Sequence, residues 1–254
     1  MTDFPIWKNP PILEAVLDIR ATLPASVDLL RLAAFQEGLS ERFPMQEPQT
    51  TVQFGFEAQP GQVPSIQLPV SDTVGYRLQS ADGRRVIQVQ RFGFTFSRVG
   101  SYDTWDSFSQ EARELWGRYL TVATPETVTR LGLRYINRIL LPLSDTPVDF
   151  KDYILTMPEI APGVPQELQG LFMRLLVPSP EYAAQANITQ VMEPVTEDAD
   201  GLRTLPLIFD IDAFKQQTFA PRSEAIWDAF GALRAFKNQI FDKSITDKTR
   251  RLFQ

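Results

Sequence analysis

Apolar and polar positions along the chain change period several times, and each change marks an element. Leu13, Ala15, Leu17, Ile19, Ala21 and Leu23 alternate with Glu14, Asp18, Arg20 and Thr22, the period of two that a half-buried strand requires. An irregular arm ending in Asn9-Pro10-Pro11 precedes them. Ser26 or Asp28 then caps an expected helix whose apolar positions Leu29, Leu32, Phe35, Leu39 and Phe43 recur at helical spacing up to Pro44. Alternation returns at Val52, Phe54 and Phe56 within 51–57.

The stretch 75–80 runs through Asp82-Gly83 into 85–98, which predicts a hairpin with a short glycine-containing loop. Along its second arm the apolar set passes from Ile87 and Val89 to Phe92, Phe94 and Phe96, one residue out of phase. A strand cannot change faces without a break, so the pattern predicts a bulge near Gln90 or Arg91. Asp103 or Thr104 caps a second helix with Trp105, Phe108, Ala112, Leu115 and Tyr119 on one stripe.

The longest strand signal covers 128–141. Leu131, Leu133, Tyr135, Ile139 and Leu141 share one face, and Arg130, Gly132, Arg134, Ile136 and Arg138 share the other. Seven prolines and glycines between Pro142 and Gly170 then break the pattern, around a short helix expected near 150–155. Strand-like segments follow at 171–177, 184–192 and 205–213, with the acidic loop 193–201 between the last two. A long helix over about 223–242 carries Ile226, Phe230, Leu233, Lys237 and Ile240 at helical spacing, and Thr246 caps a short final one.

Hairpin-linked strands with helices between the sets predict an α+β fold: mainly antiparallel sheet with helices packed on one face, built as one body or as two similar sub-domains. The breaks divide the chain into an α+β N-terminal half (1–142), a proline-rich connection (143–170) and an α+β C-terminal half ending in the long helix (171–254). Both halves run from strands into a helix, but no motif repeats at a fixed offset.

Composition narrows the chemistry more than the fold. The 254 residues contain no histidine and no cysteine, so histidine-dependent triads, zinc sites, thiolate nucleophiles and disulfides are all excluded. Chemistry must come from Asp, Glu, Lys, Tyr, Ser, Thr or Arg, or from a hard cation such as Mg²⁺ held by carboxylates. The opening residues lack the charged and apolar regions of a signal peptide, and no apolar run approaches the roughly 18 to 20 residues of a membrane span, so a cytoplasmic, non-membrane protein is expected. A net charge of −6 argues against nucleic acid as a partner. The stretch 75–140 departs from that balance, with ten arginines, no lysine and six acids, which leaves room for a local anion site.

Arg130, Arg134 and Arg138 form a row of guanidinium forks suited to phosphate or carboxylate. The same row could pair with acids of neighbouring strands, for which Glu14, Asp18, Asp210 and Asp212 are available. Gly132, within the row, suggests that something approaches the backbone closely. Asn137 falls on the otherwise apolar face, where an unpaired amide is costly and a hydrogen-bond partner or a ligand is required. Asp210 and Asp212 share a strand face and are the candidate Mg²⁺ ligands. Phe92, Phe94 and Phe96 with Arg91 and Arg98 could form a nucleic-acid stacking strand or one sheet face under a helix. No phosphate-binding loop motif is present.

Three segments, NPPILEAVLDIR, RLGLRYINRI and IFDKSITDKTRRLF, resemble a sporadically distributed bacterial family of about 250 residues with uncharacterised function. The resemblance spans Asn9 to Phe253 and implies a cytoplasmic bacterial protein; it supplies no active-site residues. The residues themselves point first to a non-enzymatic binding or protein-interaction module, with a protein or a small anion as partner. The alternative is an anion-binding or Mg²⁺-dependent enzyme using the arginine-rich strand face.

Overall fold

The computed structural model describes residues 7–53, 56–57, 65–66, 70–100, 102–143 and 148–254. Twelve strands and four α-helices follow in the order β1 (Ile12–Thr22), α1 (Leu29–Ala33), β2 (Met45–Gln53), β3 (Phe56–Glu57), β4 (Ser65–Ile66), β5 (Val70–Gln79), β6 (Arg85–Gln90), β7 (Gly93–Val99), α2 (Trp105–Ala123), β8 (Thr127–Pro142), β9 (Phe172–Ser179), β10 (Ala184–Met192), β11 (Thr196–Glu197), β12 (Arg203–Phe219), α3 (Ala225–Ser244) and α4 (Asp247–Arg251). Ten strands form one antiparallel sheet in the order β2-β5-β6-β7-β1-β8-β12-β10-β9, with β11 added to β12; β3 and β4 form a separate ribbon.

The register places the apolar sets of successive strands directly opposite one another. Leu17 faces Leu133 across β1 and β8 and Phe96 across β1 and β7, and Ile211 faces both Tyr135 and Ile188. One face of the sheet is therefore continuously apolar, and α2 and α3 cover it. Phe108 of α2 stacks on Phe96, and Phe241 of α3 stacks on Phe209. The opposite face carries the polar alternates, and among the described residues no helix covers it. An α+β fold with an antiparallel sheet and helices on one face thus follows from the strand periodicity, as the sequence predicts.

The sheet contains a repeat of topology that no sequence motif announces. β1 leads, after an excursion, into the meander β5-β6-β7, whose last strand returns beside β1 and continues into α2. β8 leads into β9-β10-β12, whose last strand returns beside β8 and continues into α3. The two sets meet along the β1–β8 pair at the centre of the sheet.

Three local expectations are corrected. Residues 85–98 are not a bulged strand but a second hairpin: β6 and β7 pair with Gln90 opposite Gly93, so Arg91 and Phe92 form the turn. A two-residue turn shifts the apolar phase by one just as a bulge does, and here Val89 faces Phe94 and Ile87 faces Phe96 on the core side. Gly93, at φ 151°, allows the tight return, because a Cβ there would lie 2.2 Å from the carbonyl oxygen of Ile19. The first helix is also shorter than its spacing suggests. Asp28 caps α1, but the chain passes into a 3₁₀ turn at Ala34–Gln36 and unwinds at Gly38, whose φ is +72°; Leu32, Phe35, Leu39 and Phe43 are buried regardless. Near 150–155 the structure has only a 3₁₀ turn, Phe150–Asp152. Phe54, part of the alternation over 51–57, lies outside the described residues.

Candidate functional site

β8 divides the candidate residues between its two faces. On the open face Arg130, Arg134 and Arg138 point away from the helices, and each is engaged by a carboxylate. Arg130 donates to Asp18 at 2.9 Å and to Asp212 at 3.1 Å. Arg134 grips Asp210 with both arms of its fork, Nε to Oδ1 at 2.8 Å and Nη2 to Oδ2 at 2.6 Å. That bond is the main reason the Arg134 guanidinium holds its proton more tightly than usual. Arg138 donates to Glu193 at 2.7 Å, drawing in the acidic loop before β11.

Asp18 is shared further, with Arg20 at 3.1 Å and with the hydroxyl of Thr95 at 2.9 Å. Arg20, Arg130, Arg134 and Arg138 thus meet Asp18, Asp210, Asp212 and Glu193, four charges against four. Such a row has little net field with which to attract an anion. The group that approaches Gly132 is the neighbouring Arg130 itself, whose Nη1 would lie 2.6 Å from an added Cβ. Asp210 and Asp212 are each bonded to a guanidinium, and among the described residues no group of three or more acids is placed to hold a metal ion.

Phe94 and Phe96 are fully buried beneath α2, while Phe92 sits in the β6–β7 turn under the guanidinium of Arg20, 4.7 Å from its ring centre. They form no exposed stacking surface. Arg98 belongs with them on the core side, where it donates to Glu111 of α2 at 2.8 Å.

Asn137 lies on the helix-covered face and is only 3% exposed. Its Nδ2 donates to the carbonyl of Phe209 at 2.9 Å and more weakly to that of Tyr135. Both partners are acceptors, which fixes the amide orientation and leaves Oδ1 as the group it can offer elsewhere. Beside it opens a cavity of about 300 Å³. Tyr135 and Asn137 of β8 line it together with the arm Trp7–Ile12, the N-terminal approach to α2 (Tyr102 to Asp106) and the face of α3 carrying Arg234, Lys237, Asn238 and Phe241.

Local sequence positions each wall. Thr104 caps α2 by accepting from the amide of Ser107 at 3.2 Å, which sets Tyr102 and Trp105 on either side of the helix start. Tyr102 stands edge-on to Tyr135, and the two hydroxyls hydrogen bond at 2.8 Å. Burial pushes both phenols above their ordinary range and so keeps them protonated. Lys237 lies on the buried stripe of α3 at 8% exposure, with its Nζ 3.7 Å from the centre of the Tyr135 ring. Burial first, and the charge of Arg234 second, lower its proton affinity to about 7. Arg234, one turn earlier, lies over Trp105 at the mouth.

The acids of the cavity rim are largely engaged elsewhere. Asp103 is 3.6 Å from Arg98, Asp242 binds Arg250 at 2.9 Å, and Asp106 sits in the first turn of α2, where negative charge is favoured. Arg234 and Lys237 are bonded to no carboxylate among the described residues. Asn137 is the sequence candidate that leads to this cavity; no local pattern marks Arg234, Tyr102 or Trp105 as site residues. For Lys237 the signal was present, as a lysine occupying a position of the apolar stripe.

No family model and no curated protein sequence matches the chain. Among the described residues no helix is long and apolar enough to cross a membrane.

Proposed function

We propose that this chain is a binding module for small organic anions, seated in the cavity between α2, α3 and β8. The observation that supports it is a pair of basic side chains, Arg234 and Lys237, without carboxylate partners among the described residues and set against walls of Trp7, Tyr102, Trp105, Tyr135 and Phe241. Aromatic walls with a few placed polar groups suit a ligand with an apolar body and one charged end. The arginine row on the open face has no part in this reading, since its forks are already occupied.

The test is a thermal-shift series with lactate, benzoate, inorganic phosphate and magnesium chloride. A carboxylate at about a hundred times its Kd would stabilise by about 2.7 kcal/mol, or about 5 to 10 °C for a chain of this size. Lys237→Met and Arg234→Met are expected to remove that shift, whereas a flat response to every anion counts against the reading.

A second reading, a protein-interaction module, draws on β9. Among the described residues this strand ends the sheet, exposes Phe172 at 74% and Leu176 at 59%, and has one side of its backbone without a partner strand, open to an added one. A second copy of the chain is the occupant this reading names. Sedimentation velocity over rising concentration should then show association that Phe172→Lys weakens at least about tenfold; a wild-type chain that stays monomeric throughout refutes it.

A further inference from the structure

A primary amine kept inside a fold without a counter-ion is expensive as an ammonium and far less so as a neutral amine. The neutral form is also a nucleophile. Lys237 is in that position, with its Nζ over the Tyr135 ring and lining the cavity. Burial and Arg234 favour loss of its proton, while the negative face of the Tyr135 ring holds it back in part. The other titratable or charged groups lining the cavity with it are Tyr135 on the sheet, Tyr102, Asp103 and Asp106 at the start of α2, and Asp242 on α3.

Arg234 precedes Lys237 by three residues and so projects from the same side of α3. Its guanidinium matches a carboxylate better than an ammonium does. A ligand whose carboxylate met Arg234 at the mouth would place the adjoining carbon deeper, towards Lys237.

We infer that Lys237 forms an imine with a small α-oxo carboxylate held by Arg234. The inference rests on the small-anion reading of the cavity and names its ligand class. The nitrogen lone pair forms a bond to the carbonyl carbon and the C=O π pair moves to oxygen, which takes a proton from nitrogen. With a second proton from nitrogen that oxygen leaves as water, and the nitrogen lone pair forms the C=N bond as the C–O bond breaks. Ammonium plus oxo acid gives protonated imine plus one water, so no oxidant, reductant or net proton is needed. Tyr102 and Tyr135, joined hydroxyl to hydroxyl, are the protonated donors nearest this chemistry. Oδ1 of Asn137 remains as an acceptor for the imine N–H.

The full chain is to be incubated with glyoxylate and sodium cyanoborohydride, followed by intact and peptide mass spectrometry. The expected result is one carboxymethyl group, on Lys237, formed at least tenfold faster than on Lys8, Lys151 or Lys215; it is absent in Lys237→Met and at least fivefold slower in Arg234→Met. Labelling spread over exposed lysines, with Lys237 no faster, overturns the inference. Lactate, which lacks the electrophilic carbon, separates the two claims in a parallel thermal shift. Stabilisation by lactate without trapping at Lys237 sinks the imine and leaves the anion site standing; absence of both sinks both.

Discussion

Lys237→Met is expected to make the protein more stable at pH 6, by an amount that shrinks by a few kcal/mol as pH rises to 10. In the folded chain the amine loses its proton near 7, against 10.5 ordinarily. Between those limits the unfolded chain carries a proton that the folded one does not, so wild-type stability rises with pH across that window. Below about 7 both states are protonated and the full penalty is present. The gap corresponds to at most roughly 5 kcal/mol, and the Tyr135 ring offsets about 1 kcal/mol by attracting the ammonium. Methionine is of similar length and adds only a pH-independent packing gain. Urea unfolding of both proteins at pH 6, 8 and 10 measures the difference directly. A difference that stays constant, or widens with pH, would mean that Lys237 keeps its charge in the fold.

Glu111→Gln is expected to destabilise the protein by about 3 to 5 kcal/mol. Oε2 of Glu111 accepts from Arg98 at 2.8 Å, while Oε1 accepts from Arg42 at 3.0 Å and lies 3.6 Å from Arg85. Arg98, at 7% side-chain exposure, is the member that cannot turn to water. Among the described residues its Nε and Nη1 already have no hydrogen-bond partner, and the next carboxylate, Asp103, is 3.6 Å away. Neutralising Glu111 therefore leaves a buried guanidinium beside two others. Adding Arg98→Met should recover most of the loss in a urea titration, because the pair is then absent rather than half removed. If the single variant unfolds at the wild-type midpoint, the pair contributes nothing measurable.

The contrast between these two side chains shows which parts of the molecule were legible in advance. Alternation along 128–141 gave both faces of β8 correctly, since a strand with one buried face admits only one register. It also marked Asn137 as needing a partner, and the cavity lies beside it. Lys237 stood on an apolar stripe, where a cation is out of place, but the stripe says nothing of what lies opposite. That the ring of Tyr135 is there depends on how α3 crosses β8, which no local pattern encodes.

Arg98 has the parity of Phe94 and Phe96 and so belonged on the core face; its partner Glu111 comes from the helix after it and is set by packing. The β6–β7 turn is ambiguous in the sequence for a related reason. A bulge and a two-residue reversal give the same phase slip, and only the pairing of Gln90 with Gly93 separates them. The carboxylates opposite the β8 arginines were anticipated for Asp18, Asp210 and Asp212, which occupy facing strands. Glu193, brought in from a loop, was not.

The topological repeat gives the cavity a mechanical meaning. Tyr102 and Trp105 of its rim come from the unit that begins with β1, and Tyr135, Asn137 and the α3 side chains come from the unit that begins with β8. Between the units the sheet is joined by the backbone ladder of a single strand pair. A molecule lodged there touches both sides of that seam and acts as a rivet, so occupancy should slow amide exchange along β1 and β8 ahead of the outer strands.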